Sequence, residues 1–302
     1  MNTPQTAVPD WFKTYTTLPR NDHWINVADA SGIDAAIHFQ TWNEDKDKPG
    51  LLFVHGHAAH SHWWDFIAPA FMTNYRVAAM DMSGSGDSAH RSQYSARGFA
   101  EEIYRVALAL GENTIVVGHS LGGTMTRICA HLYGSQLGSI VIVDSNISSS
   151  RGNRTPPPMP KKKDRIYPSL GSGMKRFRLR PAQPAPPAYI SQYIAAHSLK
   201  ETEGGFSFKL DPAVFAKMKE VAAEDFPDAV TMVKELKCPA GFIYGEQSIF
   251  FPAANVEVLK SIFPAHLLAG IQNAHHHLFL EQPRIFCEVL ATMLKAITDS
   301  RV

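Results

Sequence analysis

Six short apolar runs, each ended by a turn, set the tightest limit on what this chain can fold into. "LLFV" (51–54) runs into His55-Gly56, "VAAM" (77–80) into Asp81 and the glycines of "SGSG", and "TIVV" (114–117) into Gly118. "SIVIV" (139–143) stops at Asp144, "GFIY" (241–244) at Gly245, and "HLLAGI" (266–271) at a polar loop. Continuous rather than alternating hydrophobicity marks strands buried on both faces. Helical patterns fall between the runs. Met125, Ile128, Cys129 and Leu132 share one face of a helix that Gly134 stops, and Trp64, Ile67, Ala68 and Phe71 mark an earlier one. Pro283 opens a last helix carrying Phe286, Val289, Leu290 and Met293. The expected fold class is α/β, a mostly parallel central sheet with helices on both faces. "WINVADASG" and "IDAAIHFQTW" read as an antiparallel pair at one edge.

The rhythm breaks from about Asn146 to Leu236. Residues 151–190 are rich in proline, and residues 151–180 hold ten Lys or Arg against one acid, Asp164. Residues 201–235 are acidic instead, with Glu201, Glu203, Asp211 and Glu220 among them. This is the pattern of an inserted lobe: a helical cap at 146–236 on a core of 1–145 and 237–302. The 302 residues, 45% of them hydrophobic, suffice for such a core.

Other properties exclude whole classes of function. A formal net charge of +1 gives no pull toward nucleic acid or an anionic membrane. Cys129, Cys238 and Cys287 are odd in number and far apart, which argues against a disulfide framework or a zinc ribbon and for a reducing compartment. The start, "MNTPQTAVPDWF", lacks a signal-peptide pattern, and no apolar run reaches membrane-spanning length. A cytoplasmic protein acting on a small-molecule substrate is expected, with no membrane or nucleic-acid partner; a homodimer is left open.

The strongest chemical signal is "VVGHSLGG" (116–123). It contains G-x-S-x-G as Gly118-His119-Ser120-Leu121-Gly122, directly after a strand and opening a helix. Ser120 would sit on a sharp, strained turn with the helix N–H groups aimed at it, and side chains at 118 and 122 would clash. "SGSGDSA" could pass for a dinucleotide turn, but no clean helix opens there, so it reads as structural.

With these residues in view, the chain resembles the α/β-hydrolase superfamily. "FVHGHAAHSHWWD" resembles the family's His-Gly turn, "AMDMSGSGDS" its D-x-x-G-x-G-x-S turn, "VVGHSLGG" its nucleophile elbow, and "NAHHHLFLEQP" the loop carrying its histidine. They occur in the family's order. The resemblance implies an α/β-hydrolase fold with Ser120 as nucleophile and the backbone N–H groups of His57 and Leu121 as the oxyanion hole. It also picks His276 from the triplet His275, His276 and His277, because the family's histidine usually lies five residues before the acid that Glu281 matches here. Nothing physical in the triplet separates the three.

The carboxylate is less direct. The family's usual acid follows the strand read here as "GFIY", yet that position holds Ser248. A hydroxyl cannot stabilise an imidazolium as a carboxylate does. Glu246 is one alternative. Asp144, at the end of the strand after the nucleophile helix, matches another arrangement in the superfamily and is preferred.

Fourteen histidines invite a metal, and His55, His57, His60 and His62 have the alternate spacing of an extended chelating segment. No carboxylate completes a usual site, so no metal and no other cofactor is expected. The expected reaction is hydrolysis of a carboxylic ester, apolar or aromatic, with Trp63 and Trp64 as candidate pocket walls. The basic stretch at 151–180 raises an anionic group on the substrate. Carbon–carbon bond or thioester hydrolysis with the same triad is an alternative, as is a non-catalytic ligand-binding member of the fold.

Overall fold

In the computed structural model, residues 7–29, 31–147, 165–220 and 226–299 are described. Of the basic stretch, Arg151, Arg154, Lys161, Lys162 and Lys163 lie outside them, as does Asp164.

The apolar runs become strands. After a short helix α1 (Asp10–Thr17), β1 (Asn21–Ala28) and β2 (Asp34–Thr41) form the antiparallel edge pair. Then follow β3 (Gly50–Val54), β4 (Arg76–Met80), α2 (Ala96–Leu110), β5 (Ile115–His119), α3 (Leu121–Tyr133) and β6 (Ser139–Val143). Here the chain leaves the sheet through α4 (Leu170–Met174), α5 (Ala188–His197), β7 (Leu199–Thr202), β8 (Gly205–Phe208), α6 (Val214–Glu220) and α7 (Ala229–Lys234). It returns as β9 (Ala240–Gly245), α8 (Ala253–Ile262), β10 (Leu268–Ile271), α9 (Leu278–Glu281) and α10 (Pro283–Asp299).

Eight strands form one sheet in the order β1-β2-β4-β3-β5-β6-β9-β10, parallel from β4 onward. Successive residues of each central strand feed opposite faces. Leu52 and Val54 of β3 join the layer built with Phe99 and Ile103 of α2 and Met125 and Ile128 of α3. Leu51 and Phe53 join the layer built with Phe286, Leu290 and Met293 of α10. All four strand residues are fully buried, so each such side chain contributes about 1.5–3 kcal/mol by leaving water. That two-sided burial is why the runs carry no polar alternation. No helix among the described residues is long and apolar enough to cross a membrane.

Two local readings need correction. Trp64, Ile67, Ala68 and Phe71 do not share one α-helix; they fall in and between two 3-10 turns, Ser61–Trp64 and Ala68–Phe71. Pro69 sits in the second turn and lacks the N–H that a continuous helix would use there. The insertion also holds the antiparallel hairpin β7–β8 among its helices. Its strands of four residues are too short to print a periodicity. By contrast, "SGSG" is the structural turn expected: buried Asp81 accepts from the amides of Ser61 (2.6 Å) and Asp87 (2.9 Å) and from His38 Nδ1 (2.7 Å).

The segment "SQYIAAHSLK" is clamped to the core. Ile190 and Ile194 of α5 are fully buried. Tyr193 donates its hydroxyl to Asp65 at 2.6 Å, and Asp65 also accepts from Gln40 (2.6 Å) and His62 (2.8 Å) and pairs with Arg20 (3.4 Å). One buried carboxylate thus ties together strand β2, the first 3-10 turn, the insertion and the chain before β1.

Candidate active site

Parallel pairing stacks the carboxyl ends of β5, β6 and β9 side by side, and in open α/β sheets ligands bind outside those ends. Each strand hands its first loop residue to its neighbour. Ser120 N–H donates to Val143 at 2.9 Å, and Asp144 N–H donates to Ile243 at 2.8 Å. Ser120 follows β5, Asp144 follows β6, Ser248 follows β9, and His276 lies in the loop after β10.

Ser120 has φ 53 and ψ −118, a left-handed conformation that costs a non-glycine residue about 1–3 kcal/mol. Close packing holds the turn there. A Cβ on Gly118 would lie 2.3 Å from Thr126 Oγ1, and one on Gly122 would lie 2.3 Å from the His55 carbonyl oxygen. The half-buried Ser120 hydroxyl therefore projects from the N-terminus of α3, where free N–H groups favour negative charge.

The three side chains form a continuous chain of hydrogen bonds. Ser120 Oγ is 2.9 Å from His276 Nε2, and His276 Nδ1 is 2.7 Å from Asp144 Oδ1. Asp144 is fully buried and carries a positive φ of 41. Its other oxygen accepts from Gly245 N–H at 2.8 Å, and Oδ1 also accepts from Ser248 Oγ at 2.7 Å. With Nδ1–H given to a carboxylate, Nε2 is left as an acceptor for the hydroxyl proton. A hydroxyl, a base and an orienting carboxylate in this sequence can attack a carbonyl carbon.

Glu246 is elsewhere: it is exposed, its Oε1 lies over Gly270 of β10, and its side chain makes no hydrogen bond among the described residues. The neighbours of His276 are also committed. His275 Nδ1 is 3.0 Å from Glu281, which also accepts from the His275 amide. Glu281 thus marks His276 in the sequence but touches His275. His277 Nε2 donates to the Arg180 carbonyl at 3.2 Å, and its amide donates to Gln183. Burial, with His276 beside it, pushes the His277 imidazole down to about 3.

The turn holding His57 packs on the elbow, since a Cβ on Gly56 would come within 3.0 Å of Ser120 Cβ. The amides of His57 and Leu121 donate to no other group among the described residues. The His57 ring lies tilted against that of Phe215 of α6, centroids 4.3 Å apart. Burial, then His55 and Arg180, lowers its pKa to about 4, so the ring is neutral near pH 7.

Sequence reasoning missed His119. Its Nε2–H donates to the His276 carbonyl at 2.9 Å, while Nδ1 is buried and has no hydrogen-bond partner among the described residues. Burial pushes this imidazole well down, so it acts as a neutral donor gripping the loop that carries His276. No spacing rule announces such a contact.

Neither Trp63 nor Trp64 lines the cavity that opens beside the turn after His57. Trp64 is fully buried and stacks on Phe279 at 4.4 Å, deep in the α10 layer. Trp63 is 3% exposed and packs against Phe177 and His277 at the seam with the insertion. The other early histidines are not an extended chelating row either. His55 donates to Gly56 O and accepts from Met82 N–H, His60 meets Ser198, and His62 meets Asp65.

Among the described residues, three groups bring ligand atoms within 4.8 Å: His119-His276-His277, His62-Asp65-His197 and His38-Asp81-Asp87. Protein partners already occupy most of those atoms. Both His276 nitrogens are engaged, Asp65 serves four donors, and His38 bonds Asp81 and Asp22.

A family model described as the alpha/beta hydrolase fold matches residues 49–283. The chain belongs to the α/β-hydrolase family. Among relatives of this α/β hydrolase, a pimeloyl-[acyl-carrier protein] methyl ester esterase of Aeromonas hydrophila is 27% identical over 248 residues, covering 80% of this chain and 94% of the relative. An sn-1-specific diacylglycerol lipase, ABHD11 of Mus musculus, is 22% identical, with 85% of each chain covered. Among solved structures, the thioesterase domain from the curacin biosynthetic pathway superposes with a TM-score of 0.71 at 19% identity, covering 89% of this chain and 99% of that one. It shares the fold. This α/β hydrolase is accordingly an enzyme of the esterase and hydrolase kind.

Proposed function

We propose that the chain hydrolyses carboxylic esters through an acyl-enzyme on Ser120. His276 takes the Ser120 proton as Oγ attacks the ester carbonyl, and Asp144 holds and stabilises the imidazolium that forms. The amides of His57 and Leu121 receive the oxyanion, ordinarily the largest single electrostatic contribution in such chemistry. His276 returns the proton to the leaving alcohol, then draws one from a water whose oxygen attacks the acyl carbon, and gives that proton to Ser120 Oγ as the ester bond to Ser120 breaks.

The observation that carries this reading is the unbroken Ser120–His276–Asp144 chain at 2.9 and 2.7 Å, ending on a carboxylate wholly shielded from water. The relatives' printed activities, a methyl ester esterase and a lipase, favour the ester class. Phe250 against His276 (4.8 Å) and Phe215 against His57 favour apolar or aromatic groups flanking the ester. Residues 146–236 serve as the cap: Arg180 and Phe215 supply contacts to the His277 and His57 turns.

Hydrolysis of 4-nitrophenyl butyrate tests the reading. Parent protein gives an initial burst of nitrophenol followed by steady turnover, and Ser120→Ala gives neither. Turnover that survives Ser120→Ala contradicts it.

A further inference from the structure

A cavity of about 410 Å³ opens between the insertion and the turn after His57. Ala58, next in the chain to His57, and Ala59 line one side, while Tyr167, Phe177 and Phe208 supply aromatic surface. Arg165, Arg176, Arg178 and Arg180 line it too, and among the described residues no Asp or Glu does. Lys209, also in the lining, is spoken for by Asp87 at 2.7 Å. The four arginines pair with no carboxylate among the described residues. Arg178 turns Nη1 to the carbonyls of Lys175 and Phe177, which satisfies donors without cancelling charge.

Arginines on a convex surface are solvated and specify nothing. These four converge on a concavity with aromatic walls, and no acid among the described residues balances them. Such a site focuses a positive field on whatever enters, and each planar guanidinium fork matches a carboxylate or phosphate through paired hydrogen bonds. Arg180 also helps hold the His57 imidazole neutral, so the field reaches the turn proposed as oxyanion donor.

We infer that this cavity is the subsite for an anionic substituent, a carboxylate or phosphate, carried by the ester that Ser120 attacks. The inference rests on the reading of Ser120 as nucleophile. The bound anion pairs with the arginines, and its tether lies along the aromatic wall toward Ala58 and the ester carbonyl.

Two esters of equal acyl length separate the possibilities: 4-nitrophenyl valerate, and the mono-4-nitrophenyl ester of glutaric acid, which ends in a carboxylate. The expected preference for the anionic ester is at least about tenfold in kcat/KM, weakening as salt is raised. Arg176→Gln/Arg180→Gln, confirmed folded by circular dichroism, brings the ratio toward one. Arg165→Gln moves it the same way and stands in if the double variant folds poorly. Arg284→Gln, which removes a charge on α10 outside the cavity, keeps the ratio. Calorimetric titration with glutarate and with inorganic phosphate shows which anion fits better and needs no turnover. Equal rates on the two esters, or a preference that survives the arginine substitutions, overturns the inference and leaves Ser120 untouched. If neither ester is cleaved, the Ser120 reading fails by itself. The titrations then decide the cavity: saturable binding lost in the double variant upholds it, and no binding overturns it.

Discussion

Ser248 Oγ donates to Asp144 Oδ1 at 2.7 Å, on the same oxygen that receives His276 Nδ1. The position after β9, where the family's usual acid stands, therefore holds a hydroxyl bonded to the carboxylate at the end of the neighbouring strand β6, where our proposal puts the acid. Adjacency of β6 and β9 makes the exchange possible, because both strand ends face the loop after β10.

That closeness predicts a rescue. Asp144→Asn lowers kcat by about 10⁴-fold on the proposed mechanism. Adding Ser248→Asp to it sets a carboxylate within reach of His276 Nδ1 and recovers at least about 100-fold of the loss. Steady-state kinetics on a 4-nitrophenyl ester reads both, and no recovery means that position 248 cannot present an acid to the ring.

The grip of His119 on the His276 loop has its own cost. His119→Ala removes a buried donor and strands the His276 carbonyl, at about 1–3 kcal/mol of stability. Urea unfolding measures that loss. If the contact positions the base, kcat falls while KM holds; if His119 only fills space, stability falls and kcat of the folded enzyme is unchanged.

Acid should unfold this protein through its buried imidazoles. His57 and His277 are held near 4 and 3 by burial, against 6.5 when unfolded, so the unfolded chain binds more protons as the pH falls. Their contribution is intact above 6.5 and is lost progressively toward 4, at about 2 kcal/mol for His57 by about pH 5. His38 opposes this: burial would lower it, but its bond to Asp81 raises it, so it favours the folded state at low pH. Thermal unfolding from about pH 8 to 4 should show falling Tm, with a shallower fall in His277→Gln.

Tyr193→Phe removes the insertion's donor to Asp65 and leaves Gln40, His62 and Arg20 in place. A loss of about 1–2 kcal/mol is expected by chemical denaturation. No change would mean that α5 is held by Ile190 and Ile194 alone.

Much of this was legible in the sequence because its physics is local. Strands buried on both faces must be apolar throughout, and a serine on a left-handed turn between strand and helix demands glycines at 118 and 122. The rest depends on neighbours distant in sequence. Asp144 and Glu246 both follow strands and read alike; only the third dimension turns one inward and leaves the other exposed. His275, His276 and His277 are identical in type, and what separates them is Glu281, Asp144 and a carbonyl of the insertion. Trp63 and Trp64 look like pocket walls by composition, yet Phe177, Phe279 and Phe286 bury them. The cavity arginines were visible as a charge run, but their convergence was not.

The most direct test is the rate at which a fluorophosphonate labels Ser120 in the parent protein, in Asp144→Asn and in Glu246→Gln, each confirmed folded by circular dichroism. Fast labelling in the parent and in Glu246→Gln, with a collapse of several orders of magnitude in Asp144→Asn, is the predicted result. Fast labelling that persists in Asp144→Asn, or no labelling of the parent at all, would contradict the account.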